Sequence, residues 1–255
     1  VSEVLRYGVE GNRATLVLNR PDKRNALNAE LVTALGVALG RASADPSVRV
    51  VVIRGEGSDF CAGADLAELE RIREMGAEES LADAQRLGDL LIQLRRAPKP
   101  VVAVVQGRAL AGGCGLATGC DLVLAHEDAE FGYPEVHLGF VPAMVMAILR
   151  RKVTESRAFE LVVQGDRISA TGAERIGLVN RVFPAATFEA DVDGYVTALA
   201  KRPPSAVSLS KRLLYGLDGV AFEDAVARGA EVNVVARMTD ACREGVRRFL
   251  ERARG

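Results

Sequence analysis

Ala111 to Gly115 (AGGCG) sits between the apolar run Pro100 to Gln106 (PVVAVVQ) and Leu116 to Gly119. Glycines clustered between a strand and a helix let backbone approach a ligand closely and leave unpaired N–H groups at the helix start pointing at it. That arrangement suits an anion or a developing oxyanion. A second loop, Gly55 to Ala64 (GEGSDFCAGA), follows Val48 to Arg54 and runs into Asp65-Leu66-Ala67-Glu68, which opens a helix. One N–H from each loop can then converge on one carbonyl oxygen, each donor contributing about 3 kcal/mol as negative charge develops in a site without water.

The third group is Glu135, within Phe131 to Gly139 (FGYPEVHLG). It follows a proline in an apolar neighbourhood, where desolvation raises a carboxyl pKa toward the range useful for proton transfer. The competing reading is a solvated loop glutamate. His137, two residues on, shares its face in an extended segment but also suits a structural role. Asp65 with Glu68 has the spacing of a capping box. Cys61 lies near a glycine loop with no histidine close in sequence, which favours a small packed residue over a nucleophile. The four cysteines, Cys61, Cys114, Cys120 and Cys242, form no CxxC pair. With only His126 and His137 beside them no zinc set is expected, and they read as reduced thiols of a cytoplasmic protein. Gly113, Gly115 and Gly119 make a GxGxxxG pattern. A dinucleotide fingerprint, however, needs its first glycine at the strand end and an acid about 20 residues on. Here Arg108 to Gly112 intervene and Glu127 comes too early.

These groups need a scaffold, and the rest of the chain supplies the pattern of one. The 255 residues are 49% hydrophobic, ample for a buried core. Thirty-three Lys and Arg balance 34 Asp and Glu, so the whole-chain charge offers no footprint for nucleic acid or an anionic membrane. No signal core is present near the start, and no apolar run approaches the roughly 18 residues of a membrane span. Buried strands are predicted at Ala14 to Asn19, Val48 to Arg54, Val101 to Gln106 and Leu122 to Ala125, with helices at Ala29 to Ala44 and Ser80 to Arg96 between them. This alternation predicts parallel crossover units of an α/β fold. From about residue 142 the pattern turns helical, with one short strand predicted at Leu178 to Val182 and a break at Arg202 to Ser205.

The ordered motifs resemble those of the enoyl-CoA hydratase/isomerase (crotonase) superfamily over nearly the whole chain. They are Asn19-Arg20-Pro21 with Asn25-Ala26-Leu27-Asn28, Phe60 to Leu66 (FCAGADL), Leu110 to Leu116 (LAGGCGL), Cys120-Asp121, Phe131 to Glu135 (FGYPE), Leu138 to Pro142 and Ala173 to Val182 (AERIGLVNRV). The resemblance implies an α/β crotonase (ClpP-like) spiral of ββα units over residues 1–195 and a helical trimerisation region over 196–255, assembled as a homotrimer or a dimer of trimers. It implies a CoA thioester as substrate, no cofactor beyond that CoA, no metal, and oxyanion donors at Ala64 and Gly112. Lys23 and Arg24 would lie near the CoA phosphates and the Ala62 backbone near the adenine.

In that family hydratases use two glutamates, at the positions here held by Gly115 and Glu135. Only the second is kept. Hydration divides two tasks between two carboxylates, whereas a double-bond shift needs one base, so the resemblance tilts toward isomerisation. Otherwise hydration would run on a single carboxylate or on a substitute such as Glu68 or Glu70. Ala111 replaces the first glycine of a GGG run, and Tyr133 stands beside Glu135, where its hydroxyl would orient substrate or fill space. Other readings are a non-catalytic acyl-CoA-binding protein, and a crotonase-fold decarboxylase, dehalogenase or other acyl-CoA lyase.

Overall fold

A computed structural model describes residues 3–254, leaving aside the side chains of Leu66, Leu69 and Arg254. Val1, Ser2 and Gly255, at the ends of the two expected ranges, lie outside the described residues. The strands in chain order are β1 (Leu5–Glu10), β2 (Arg13–Leu18), β3 (Val50–Gly55), β4 (Val101–Val105), β5 (Arg108–Leu110), β6 (Leu122–His126), β7 (Glu130–Gly132), β8 (Ile168–Ser169) and β9 (Arg181–Phe183). The helices are α1 (Ala29–Ala44), α2 (Leu66–Ile72), α3 (Ala77–Arg96), α4 (Gly112–Gly119), α5 (Ala143–Lys152), α6 (Glu155–Gln164), α7 (Ala170–Arg175), α8 (Phe188–Ala200), α9 (Pro204–Gly216), α10 (Phe222–Arg237) and α11 (Asp240–Arg254).

The main sheet runs β1-β2-β3-β4-β6-β9 and is parallel except for the β1–β2 hairpin. β1 is not among the predicted strands, although Gly11-Asn12 is a hairpin turn with glycine at positive φ in its first place. The valine-rich strands are buried on both sides, which is why they read as continuous apolar runs. Val51, Ile53, Val101, Ala103 and Val105 join the core under α1 and α3, while Val50, Val52, Val102, Val104 and Leu124 pack against Phe188, Val192 and Val196 of α8. α8 therefore runs unbroken through residues 195 and 196 as part of the sheet's cover. The helices that leave the sheet begin with α9, after the break at Arg202-Pro203.

A second, small sheet, β5-β7-β8, is extended by an isolated bridge from Cys61 to Ala109. Each long parallel strand thus hands over to a short one and then to a helix or turn: β4, β5, α4, and next β6, β7 and the 3-10 turn Pro134–Leu138. This α/β arrangement brings the ends of successive units side by side. α9 is tied back by Lys211, whose ammonium donates to Leu94 O (2.9 Å), Lys99 O (3.1 Å) and Asp121 (2.7 Å), and by the Tyr215 hydroxyl, which donates to Asp121 (2.7 Å). Beyond it, Phe222, Val226, Val235, Met238 and Phe249 of α10, α11 and the turns beside them stand exposed. Among the described residues no helix is long and apolar enough to cross a membrane.

Candidate active site

The loop after β3 is held by polar staples. Asn25, fully buried at φ +55°, donates from Nδ2 to Glu56 O (2.9 Å) and Asp59 O (2.8 Å) and accepts from the Arg20 N–H (2.9 Å). Asp59 accepts from Arg108 Nε (2.7 Å), Nη2 (2.8 Å) and backbone N–H (3.0 Å). The Arg108 hydrogen bonds hold the Asp59 carboxyl below the usual carboxylate range against the opposing effect of burial. Cys61 then pairs like a strand residue, donating to Arg108 O and accepting from the Leu110 N–H.

Ala64 owes its orientation to a parallel bridge with Leu27. The Leu27 N–H donates to Gly63 O (2.7 Å) and the Asp65 N–H donates to Leu27 O (3.0 Å). In such a bridge the residue between the two bonded positions turns its own N–H and C=O the other way, and the Ala64 N–H has no partner among the described residues. Asp65 caps α2 by accepting from the Ala67 N–H (3.0 Å) and pairs with Arg20 at 2.6 Å. Burial pushes its carboxyl up, but the Arg20 and Ala67 hydrogen bonds outweigh that and leave it lowered. The reciprocal half of the expected capping box does not form: Glu68 pairs with Arg71 (2.9 Å), because that ion pair lies one helical turn along and the Asp65 N–H is already taken.

The second loop is held by close packing. Ala111 sits at φ +49°, ψ −126°, a backbone position that favours glycine, and its N–H donates to Gly132 O (2.9 Å). The first bond of α4 runs from the Gly115 N–H to Ala111 O (2.9 Å), so the N–H groups of Gly112 and the next residues have no intrahelical acceptor. A Cβ on Gly113 would stand 2.3 Å from Cys61 O, which makes glycine obligatory there. A Cβ on Gly63 would stand 3.0 Å from that of Ala111. The two loops are therefore in contact one residue before each expected donor, Ala64 and Gly112.

Glu135 lies in the 3-10 turn Pro134–Leu138, which follows β7. Its Oε2 is buried and has no hydrogen-bond partner among the described residues. Burial pushes its carboxyl up, while a hydrogen bond from its own backbone pulls the other way. A desolvated carboxylate oxygen without a donor is a ready proton acceptor. Tyr133 faces inward and is fully buried, its hydroxyl 3.0 Å from Thr118 Oγ1 on α4. That contact ties the turn that carries Glu135 to the helix that begins at Gly112. His137 lies with Nε2 3.3 Å from Gly165 O.

At Gly115 no second carboxylate stands. A Cβ there would lie 2.4 Å from Val145 Cγ2, so Val145 fills the place. Glu68 is committed to Arg71, and Glu70 is exposed on α2. Cys61, Cys114 and Cys120 are buried thiols, and that burial pushes each up to about 12, so none supplies a thiolate. Lys23 and Arg24 are exposed, and Arg24 takes the left-handed conformation after Pro21–Lys23. The Ala62 N–H donates to Arg24 O (3.0 Å), while its carbonyl accepts nothing among the described residues. A cavity of about 600 Å³ between β1 and α1, lined by Leu5, Tyr7, Val37 and Arg41, includes none of Ala64, Gly112 and Glu135. Chemistry rather than cavity size therefore locates the site.

Sequence reasoning assigned no role to Asn25, Asp59, Arg108 or Val145. The first three had no spacing to reveal them, because each acts on a partner 31 or more positions away in the chain. Val145 belongs to a helix with an ordinary apolar stripe.

The family model described as Enoyl-CoA hydratase/isomerase matches residues 9–254. A Thermus thermophilus protein whose name contains enoyl-CoA hydratase is 42% identical over 243 residues, covering 95% of this chain and 96% of that protein. The 2,3-dehydroadipyl-CoA hydratase of Escherichia coli is 37% identical over 243 residues, 93% of this chain and 91% of its own. The crystal structure of an enoyl-CoA hydratase from Mycobacterium smegmatis superposes with a TM-score of 0.93 at 35% identity, covering 98% of this chain and 97% of that one.

Proposed function

The chain belongs to the enoyl-CoA hydratase/isomerase family, and from that premise we propose that it shifts a double bond along the acyl chain of a CoA thioester, with Glu135 as its one base. The observation that carries this reading is the buried, unpartnered Oε2 of Glu135 in a site with no carboxylate at Gly115. The N–H groups of Ala64 and Gly112 hold the thioester oxygen, where charge accumulates when the α-proton leaves. Glu135 takes that proton and returns it at the γ-carbon. The pair freed from the C2–H bond becomes C2=C3 as the C3=C4 pair takes the proton at C4, and water is neither consumed nor formed.

Lys23 and Arg24 are the candidates for the CoA phosphates, and the open carbonyl of Ala62 for the adenine amino group. No cofactor beyond CoA is needed for this chemistry. The exposed apolar residues of α10 and α11 support a helical region that mediates trimers or dimers of trimers, and the reduced thiols fit a cytoplasmic location. The names of the relatives favour a second reading, reversible hydration of a 2-enoyl-CoA.

Product mass and absorbance after incubation with a 2-enoyl-CoA and, separately, its 3-enoyl isomer test the proposal. Conversion of the 3-enoyl ester at constant mass is expected. Glu135→Gln is expected to bind the ester as before and to slow turnover by roughly 100-fold or more. Gain of one water with no conversion of the 3-enoyl ester would establish hydration instead, and unchanged turnover in Glu135→Gln would remove Glu135 from the reaction.

A further inference from the structure

We infer that Val145 is the residue that commits this site to one carboxylate and a dry floor, and so determines that protons move within the substrate instead of exchanging with water. The inference rests on the proposed role of Glu135. Val145 is 3% exposed on α5, and its Cγ2 lies 2.4 Å from where a Cβ of residue 115 would stand. No side chain fits at position 115 unless Val145 moves. Valine in a helix has essentially one side-chain rotamer, so it cannot swing aside as a methionine would. Its neighbours leave little room for a shift. Leu149, one turn on, is fully buried, and Met144 packs into the same core.

The consequence is chemical. Where a carboxylate at position 115 could hold and polarise a water, the space is taken by the two Val145 methyl groups, 2.4 and 3.6 Å from where its Cβ would stand. A water there would lack the two or more polar partners it needs, so the space stays dry. A proton that Glu135 removes at C2 then has the substrate's own C4 as its available destination. The C2–H pair moves into the enolate, and the C3=C4 pair accepts the same proton at C4. Trimming Val145 to alanine removes two methyl groups and opens room comparable to the ~30 Å³ a water occupies in the liquid.

The test uses the full-length protein and a 3-enoyl-CoA carrying two deuterons at C2, with the deuterium content of C4 in the product read by mass spectrometry. Wild type is expected to carry most of the transferred label to C4, and Val145→Ala to lose it at least five-fold more to solvent. In parallel, Gly115→Glu and Gly115→Glu/Val145→Ala are assayed with a 2-enoyl-CoA. The double variant is expected to add water at least ten-fold faster than wild type, and Gly115→Glu alone is not. If Val145→Ala, folded as judged by circular dichroism and melting, retains label as wild type does, the inference is overturned. The isotope arm decides even if the double variant melts below the assay temperature. Glu135→Gln runs beside these variants: full isomerisation there would sink the reading on which the inference rests, whereas an inactive Glu135→Gln with unaltered label retention in Val145→Ala sinks the inference alone.

Discussion

Asp59 and Glu135 are both carboxylates drawn out of water near the ends of the spiral's strands, and the fold treats them in opposite ways. Asp59, 3% exposed, receives three N–H donors from Arg108 and a hydroxyl from Ser58. Glu135 keeps one buried oxygen with no donor among the described residues. The first charge is fully matched and has nothing left to give a ligand. The second is left unmatched at a cost in stability, and that mismatch suits it to the role of base proposed for it. The same contrast divides the two loops: the Asp59 loop is fixed by polar staples, and the Ala111 loop by steric contact and a strained residue.

The comparison breaks most visibly at the matched charge. Asp59→Ala strands the Arg108 guanidinium and backbone N–H, and stability should fall by about 3 kcal/mol, the low end for a broken buried pair because the Arg108 side chain is 29% exposed. Denaturant unfolding measures it; a loss below about 1 kcal/mol would show that the staple is not what holds this loop.

Next comes a pair of pH dependences with opposite sign. Asp59 has a folded pKa below its unfolded value. Its contribution is therefore complete above the ordinary aspartate range and disappears as pH falls through the lowered folded value. Glu135 has a folded pKa above its unfolded value. The folded state holds that proton more tightly, so stability declines as pH rises from the ordinary glutamate range through the raised value, and the cost persists at neutral pH. Glu135→Gln removes the cost, and a gain on the order of 1 kcal/mol at neutral pH is expected from this stability–activity trade. Melting temperatures of wild type and Glu135→Gln should converge toward acid pH and separate toward neutral. Curves that stay parallel would mean Glu135 is already satisfied in solution. The acid limb of turnover should likewise lie above the ordinary glutamate range, since the base must be ionised.

Much of this site was legible because its constraints are local. Gly112 and Gly113 announce a strand-to-helix turn, and Gly113 is demanded by a carbonyl 2.3 Å from any Cβ it would carry. Glu135 stood out as a carboxylate after a proline among apolar residues. Asp65 reads as a cap from its place alone, and the structure adds Arg20 as its partner. The parallel strands were legible because burial on both faces leaves only β-branched and small residues. What was hidden depends on the path of the chain through space: Arg108 and Asp59 are 49 positions apart, and Val145 meets Gly115 only because α5 folds back over α4. Tyr133 could be placed beside Glu135 from sequence, but its inward rotation follows from Thr118 on another element.

The smallest effect concerns the loop without staples. Ala111 at φ +49°, ψ −126° is held where an L side chain is disfavoured, at a cost of about 1–3 kcal/mol. Replacing it with glycine removes that strain and adds back about 0.5–1 kcal/mol of backbone entropy in the unfolded chain. The balance favours Ala111→Gly by about 1 kcal/mol. A matched control is Ala117→Gly, buried in the body of α4, where the entropy term acts without relief and a loss of about 1 kcal/mol is expected. Opposite signs for two identical substitutions six positions apart would show that the Ala111 loop stores strain; a shared loss would mean that the close contact between Gly63 and Ala111 already makes the alanine the better fit.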